Sequence, residues 1–347
     1  MLRIFICLGF ALPFFLTAAP QEAAAQMTPE KFIKKFDADG DGSVSKEEYT
    51  GNRRPFSFFD ADGNDIATSD EINAALGGGG GADPDKKKRR AETMAPMRDG
   101  QVPLDTIDAD TRCGIGRSKH NCSIKVAIEK GLFETGLRPK FPDGLDCRRI
   151  DEAWAISYSA KRDNEQYHGG IDMPAPFGTP MLAAADGTVV SKTAEPMSFR
   201  GIELIVRHSP EQTGLPVWTY TQYAHFNEMP TVNVGDKVRM GQDLGPTGNS
   251  GYQRTKGGKQ RPRRPAIHFA VWFSDKPGYA VDRNDIIPVD GWWMDPNAMY
   301  RLQPPFDSAS LKALPDAEKD VAIPVMLESG ETVPANTKLI WPYACSR

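Results

Sequence analysis

The sequence predicts a mainly β protein, a domain of antiparallel β-sheets preceded by a small α-helical module. Three observations carry that prediction. Between residues 166 and 300, short β-branched and apolar runs alternate with turn clusters rich in Pro, Gly, Asn and Asp, the pattern of many short strands. Near the N-terminus, two twelve-residue acidic segments follow "PEKFIKKF", whose Phe32, Ile33 and Phe36 have helical spacing. No run resembles a phosphate-cradling glycine loop, so nothing argues for a parallel sheet around a nucleotide.

In chain order, residues 1–25 come first. Arg3 precedes an apolar run from Ile4 to about Ala18, and Ala23, Ala24 and Ala25 offer a cleavage site before Gln26. This reads as a secretory signal; a membrane-spanning anchor would need about twenty apolar residues. The mature chain is therefore expected in the periplasm or otherwise secreted. No second apolar run is long enough to cross a membrane, so no transmembrane segment is expected in the mature chain. A net charge of −4 gives no general attraction to nucleic acid, and no nucleic-acid partner is expected. Beyond Cys7 of the signal, four cysteines remain: Cys113, Cys122, Cys147 and Cys345. An even set in an exported chain fits two disulfides, with three pairings open. Cys113 and Cys122 would close a small loop; Cys345 would staple the tail to the middle region.

Residues 27–76 form the helical module. "DADGDGSVSKEE", Asp37 to Glu48, has the spacing of a calcium loop. Oxygen ligands would come from Asp37, Asp39, Asp41, the backbone carbonyl of Ser43, Ser45 directly or through water, and a bidentate Glu48. Gly42 allows the sharp turn at the sixth position. Val44 is placed to pair with a neighbouring loop. "DADGNDIATSDE" repeats the pattern with Asp60, Asp62, Asn64, the Ile66 carbonyl, Thr68 and Glu71. Its sixth position is Asp65 and its eighth Ala67, so weaker Ca2+ binding is expected there. The pair resembles EF-hands, but "YTGNRRPFSFF" is too short for two full helices between the loops, which implies an abbreviated pair.

Residues 77–100 read as a flexible linker, with five glycines from Gly77 to Gly81 and a basic cluster from Lys86 to Arg90. Residues 101–165 are mixed and cysteine-bearing. "KVAIEKGLFE" looks helical, and "EAWAISYSA" alternates as a strand does. His120 lies close to Cys122, but a disulfide accounts for that cysteine better than a metal site.

Residues 166–300 carry the chemistry. Of five histidines, three fall in segments that also hold a metal-ligating carboxylate or a strand. "YHGGIDMPAPFGTP" offers His168 and Asp172, "YTQYAHF" offers His225, and "RRPAIHFAVWF" offers His268. Three protein ligands with a fourth position left to water make a catalytic zinc site. Ala266 shares a strand face with His268, because side chains alternate with period two. Tyr167, Tyr220 and Tyr223 are candidate donors at a rim, and His208 is expected to be a surface or packing residue. "RTKGGKQRPRRP", residues 254–265, would form a basic loop near the cleft, suited to carboxylates or phosphates.

"HGGID", "GTPMLAAADGTV", "YAHF", "VNVGDKVRMGQDLGPTGNSG" and "HFAVWF" together resemble the M23 peptidase family, the lysostaphin-type zinc endopeptidases of bacterial cell walls. The resemblance covers about residues 166–296. It implies an antiparallel β-sheet peptidase domain, with His168, Asp172 and His268 as Zn2+ ligands and His225 as a catalytic histidine. It also implies a His-x-His motif whose first histidine is replaced here by Ala266, and a methyl there transfers no proton. The implied activity is metal-activated hydrolysis of peptide cross-links in peptidoglycan or another cell-wall peptide. The alternative is a catalytically impaired protein of the same kind that binds the cell wall or regulates a wall-hydrolase partner. Residues 301–347 form a C-terminal extension, where Val321, Ile323, Val325, Leu339 and Trp341 suggest short strands, packed on the main body or forming a small extra unit.

Overall fold

A computed structural model of the chain describes residues 28–51, 55–60, 65–76, 97–116, 122–147, 168–195, 199–254 and 260–347. Several expectations lie outside the described residues: the secretory signal, the glycine run and basic cluster of the linker, His120, the strand at 152–160, Tyr167, and the loop residues Asp62 and Asn64. The chain divides into two units, Met1–Met94 and Ala95–Arg347. Among the described residues, no helix is long and apolar enough to cross a membrane.

In the first unit, helix α1 spans Pro29–Phe36. Thr28 caps it by accepting from the Lys31 amide, Pro29 opens it without losing a hydrogen bond, and Glu30 and Lys34/Lys35 oppose the helix dipole at either end. Its buried face is Phe32 and Phe36, with Ile33 half-buried. These rings pack with Phe59, Val44, Ala67 and Ile72 into a small aromatic core. Strands β1 (Val44–Ser45) and β2 (Ile66–Ala67) tie the two acidic loops together, with Val44 opposite Ala67. Ala67 is fully buried, so the small residue at that position serves the core. After the first loop the chain makes a turn and a short 3-10 segment, Phe56–Phe58, in place of a full helix. Helix α2, Ser69–Leu76, follows the second loop.

In the second unit, helices α3 (Ala109–Gly116) and α4 (Ile124–Glu129) precede β3 (Arg138–Lys140). Helix α4 ends sooner than the apolar pattern of "KVAIEKGLFE" suggests, because Gly131 takes a left-handed φ of 94°. Then come β4 (Ile171–Pro174), β5 (Pro180–Leu182), β6 (Gly187–Glu195), β7 (Gly201–His208), β8 (Trp218–Ala224), β9 (Lys237–Val238) and β10 (Asp243–Pro246). They are followed by β11 (Gln253–Arg254), β12 (Gln260–Arg261), β13 (Ala266–Ser274), β14 (Tyr279–Asp282), β15 (Asp285–Pro288) and β16 (Trp292–Met294). Strands β17 (Asp320–Ala322), β18 (Val325–Leu327), β19 (Thr332–Val333) and β20 (Ala344–Cys345) close the chain.

The central sheet has seven strands in the order β16-β13-β8-β7-β6-β9, with β4 also paired to β13. All its pairings are antiparallel. The protein is mainly β with antiparallel sheets, as the sequence predicts. Alternation assigns each row of side chains to one face. Leu204, Tyr223 and Phe269 form a row across β7, β8 and β13, and all three are fully buried in the core. Full burial of side chains like these stabilises by about 1.5–3 kcal/mol each. The neighbouring row, on the opposite face, is Glu203, Ala224, His268 and Asp172 across β7, β8, β13 and β4. A slip of one residue would exchange the two rows, so the core also fixes the register of the polar one.

The tail belongs to this same core. Val321, Ile323, Val325, Leu339 and Trp341 are buried with the sheet residues, and the Leu182 amide donates to the Pro342 carbonyl at 2.8 Å. Strand β17 pairs in parallel with β3, and β18 with β20. Disulfides join Cys113 to Cys122 and Cys147 to Cys345.

Candidate metal centre

The polar row of the sheet ends in a cluster of side-chain atoms that could hold a metal ion. Asp172, on β4, lies directly opposite His268, on β13. His168 reaches the same point from the loop before β4. Asp172 Oδ1 lies 3.0 Å from His168 Nε2 and 2.9 Å from His268 Nδ1, and the three ligand atoms all lie within 4.8 Å of one another. Ligands at ordinary zinc distances in a tetrahedron stand about 3.3 Å apart, so a cation would need Asp172 Oδ1 to part from each of the two imidazole nitrogens by only a few tenths of an ångström. The donor set fits zinc.

The glycines of "HGGID" explain how the cluster closes. Gly169 takes φ 76°, which turns the chain between His168 and the strand. At Gly170 a Cβ would lie 2.6 Å from His268 Cε1, 2.7 Å from its Nε2 and 2.7 Å from the Phe269 carbonyl oxygen. The bare backbone at 170 is therefore what admits the His268 ring.

His225 follows the last residue of β8 and leaves the strand with φ 72°. Its Nδ1 pairs with the Ser250 carbonyl at 3.0 Å. A carbonyl only accepts, so the proton sits on Nδ1 and Nε2 keeps its lone pair. The His225 and His268 rings are 5.7 Å apart between centroids. Burial holds His225 well below the usual imidazole pKa, and the Arg263 charge pushes the same way. Burial likewise lowers His268 to about 4, partly offset by Asp172. Burial alone would raise Asp172, but the His168 charge and the hydrogen bonds from His168 and His268 outweigh it and hold the carboxyl well below its usual range. A metal would use the lone pairs of His168 Nε2 and His268 Nδ1, so its binding would replace these two hydrogen bonds and release their protons.

Other residues singled out in the sequence fall elsewhere. Tyr220 and Tyr223 are not at a rim but fully buried. Tyr223 belongs to the core row beside Phe269, and its hydroxyl accepts from the Ala184 amide at 2.8 Å; Tyr220 stands opposite Trp272, further along the strand. His208 is buried between the Asp186 carbonyl and Thr221 Oγ1, at 2.6 and 2.8 Å, a packing role. Ala266 is buried on β13. Arg263 stands out from the basic loop: its Nη2 donates to Asp172 Oδ2 at 3.2 Å. The sequence marks it only as one of several arginines. Gly170 had a signal, a Gly-Gly pair immediately before a strand, which marks close approach of backbone.

The N-terminal unit holds a second acidic cluster. Asp37, Asp39 and Glu48 bring carboxylate oxygens within 4.8 Å of one another. Asp37 accepts from the Gly40 and Gly42 amides, Asp41 from the Ser43 amide, and Glu48 from Ala38, Asp39 and Ser45. Hydrogen bonds to Ser45 and to the Ala38 amide lower the Glu48 pKa to about 2. The described part of the second loop repeats the closing bonds of the first. The Thr68 amide and hydroxyl donate to Glu71 at 2.9 and 2.7 Å, as those of Ser45 do to Glu48 at 2.7 and 2.8 Å. Asp65 takes φ 65° where Gly42 takes 89°, and its amide donates to buried Asp60. Asp thus serves the left-handed turn that glycine serves in the first loop.

Residues 166–282 match Peptidase family M23. The chain is 36% identical over 103 residues to "Peptidoglycan DD-endopeptidase ShyC" of Vibrio cholerae, covering 29% of this chain and 19% of that protein. It is 30% identical over 109 residues to an "Uncharacterized metalloprotease" of Buchnera aphidicola, covering 31% and 24%. The chain thus spans a quarter or less of the length of either relative. Among solved structures, LytU is 23% identical with a TM-score of 0.31, over 50% of this chain and 96% of that one.

Proposed function

We propose that residues 166–300 are a zinc-dependent endopeptidase domain that hydrolyses peptide cross-links of bacterial peptidoglycan in the periplasm or otherwise outside the cell. The observation that carries this reading is the convergence of His168 Nε2, Asp172 Oδ1 and His268 Nδ1 beside His225. The match of the same segment to a peptidase family supports it. Two imidazole nitrogens and a carboxylate oxygen hold zinc and leave one tetrahedral position open. The bound ion would acidify a water and polarise the scissile carbonyl.

The protein's own groups then do the following. Asp172 contributes the negative charge of the ligand set, and its row across the sheet holds it opposite His268. His225, with its proton fixed on Nδ1 by Ser250, presents Nε2 to take the proton from water as the oxygen bonds to the carbonyl carbon. As the C–N bond breaks, its electron pair leaves on nitrogen, and His225 returns that proton to the departing amine. Water and peptide give one carboxylic acid and one amine. The test is release of soluble muropeptides from purified sacculi, with zinc content measured on the same samples. Wild type should release them, and His168→Ala and His225→Ala should not. No release by zinc-loaded wild type across several sacculus types would refute the reading.

The remaining segments complete the proposal. Residues 1–25 direct export, and residues 27–76 bind Ca2+ through Asp37, Asp39, Asp41, Ser43, Ser45 and Glu48. The second loop binds more weakly through Asp60, Asp62, Asn64, Ile66, Thr68 and Glu71. Residues 77–100 link this module to 101–165, and residues 301–347 extend the catalytic unit. The parallel bonding of Ser45/Glu48 and Thr68/Glu71 supports a paired module.

Ala266 favours a second reading. A buried methyl stands on the strand face of His268, so the domain would keep its metal while binding wall peptides or regulating a wall-hydrolase partner. Zinc-loaded wild type that binds sacculi without releasing muropeptides, and stimulates a separate hydrolase, would select this reading.

A further inference from the structure

The two oxygens of Asp172 are divided between two tasks. Oδ1 faces His168 Nε2 and His268 Nδ1 at 3.0 and 2.9 Å, while Oδ2 accepts from Arg263 Nη2 at 3.2 Å. Arg263 can therefore keep its bond while Oδ1 serves a cation. Its side chain is only 11% exposed, and its Nε is buried with no acceptor among the described residues. The backbone around it is held as well. Asn249 Nδ2 donates to the Arg263 carbonyl at 3.1 Å, and the Ala266 amide donates to the Gly248 carbonyl at 3.2 Å. A guanidinium carries five N–H donors in a rigid fork. Here one of them is spent on Asp172, and the group is fixed and largely dry at the edge of the ligand cluster. On β13 the residue two before His268, on the same face, is Ala266, whose methyl offers no donor.

Addition of water to a peptide carbonyl turns its oxygen into an anion. A preorganised donor that meets that charge in a water-poor site accelerates the step most when it needs no rearrangement. We propose that Arg263 is a catalytic residue, whose guanidinium donates to the carbonyl oxygen as negative charge develops on it. This rests on the hydrolase reading above. Arg263 neither gains nor loses a proton: the water proton passes to His225 and then to the amine, and the guanidinium supplies charge and hydrogen bonds only. The substrate class follows, an uncharged peptide carbonyl that becomes tetrahedral and anionic, so a tetrahedral phosphinate in a wall-type peptide is the probe that mimics it.

The test compares wild type, Arg263→Gln and Arg263→Lys, each zinc-loaded and checked for folding by thermal melting. Three quantities are measured: phosphinate affinity, zinc affinity, and kcat and KM on a cross-linked peptide. For Arg263→Gln, phosphinate affinity and kcat should fall by about 10²–10³-fold, with KM and zinc affinity within about threefold of wild type. Arg263→Lys should recover part of the loss, because it keeps the charge without the fork. A purely positioning role through Asp172 would lower zinc affinity together with kcat, and that result overturns the proposal. Unchanged phosphinate affinity in Arg263→Gln overturns it, as does failure of wild type to bind the phosphinate. A tenfold gain in zinc affinity with faster turnover would overturn it too, by showing that the guanidinium opposes the metal. Failure of wild type to cleave any wall peptide would sink the hydrolase reading instead, while the phosphinate titration would still report on Arg263.

Discussion

Gly170→Ala adds one methyl where the structure has no room for it. The new carbon would stand 2.6 Å from His268 Cε1, 2.7 Å from Nε2 and 2.7 Å from the Phe269 carbonyl. Ordinary contacts of this kind begin near about 3.4 Å, so something must move by roughly 0.7 Å. The carbonyl belongs to β13, which is paired on both sides at that level, so the His268 ring yields more readily than the backbone. Overpacking of this size costs about 1–3 kcal/mol, which lowers the Tm of a domain this long by roughly 3–10 °C. If His268 holds zinc as proposed, its displacement should also weaken the metal by about 10–100-fold, the loss typical when a ligand's supporting shell is disturbed. Differential scanning calorimetry of the metal-free protein measures the first effect, and a competition titration with a chromogenic chelator measures the second. The melting result stands whether or not zinc is the native metal. A Gly170→Ala protein with wild-type melting and wild-type zinc affinity would refute the argument that this glycine makes space for His268.

Three further outcomes follow from other parts of the molecule. His208 is buried neutral with its pKa lowered from 6.5 to about 4, so its contribution to stability is full above pH 6.5 and is lost as pH falls from there through about 4. Urea unfolding should show wild type losing roughly 3 kcal/mol more than His208→Gln across that window; parallel pH profiles would count against it. Glu48→Gln combined with Asp37→Ala should abolish calcium binding in the first loop by isothermal titration, and retained stoichiometry would refute the ligand set. Trp341 is fully buried in the core shared with the sheet, so Trp341→Ala should destabilise the second unit by about 3–5 kcal/mol, and a change below about 1 kcal/mol would mean the tail packs separately.

Local pattern made much of this molecule legible in advance. Period-two alternation in "VWTYTQYAHF" and "IHFAVWF" corresponds to β8 and β13. Residue type marks His168, Asp172, His225 and His268 as candidates, and the resemblance to a peptidase family picks out His168, Asp172 and His268, which the fold brings together. What escaped is long-range. Arg263 lies 91 residues from Asp172 in sequence, and nothing local separates it from its neighbouring arginines. Tyr223 carries a polar hydroxyl, yet its row faces the core, and only the register with Phe269 decides that. The tail's short strands have alternating apolar residues but no signal of what they cover; burial beside Leu182 and Tyr300 depends on chain ends far apart in sequence. Helix α4 is shorter than its apolar spacing predicts, because that spacing continues past Gly131, where the backbone turns left-handed.

The most direct test of the account is metal stoichiometry by inductively coupled plasma mass spectrometry on protein purified without added chelator. The account predicts about one zinc per chain in wild type and in His225→Ala, and almost none in His168→Ala, Asp172→Ala or His268→Ala. Zinc retained at full stoichiometry in any of those three variants, or lost in His225→Ala, would contradict it.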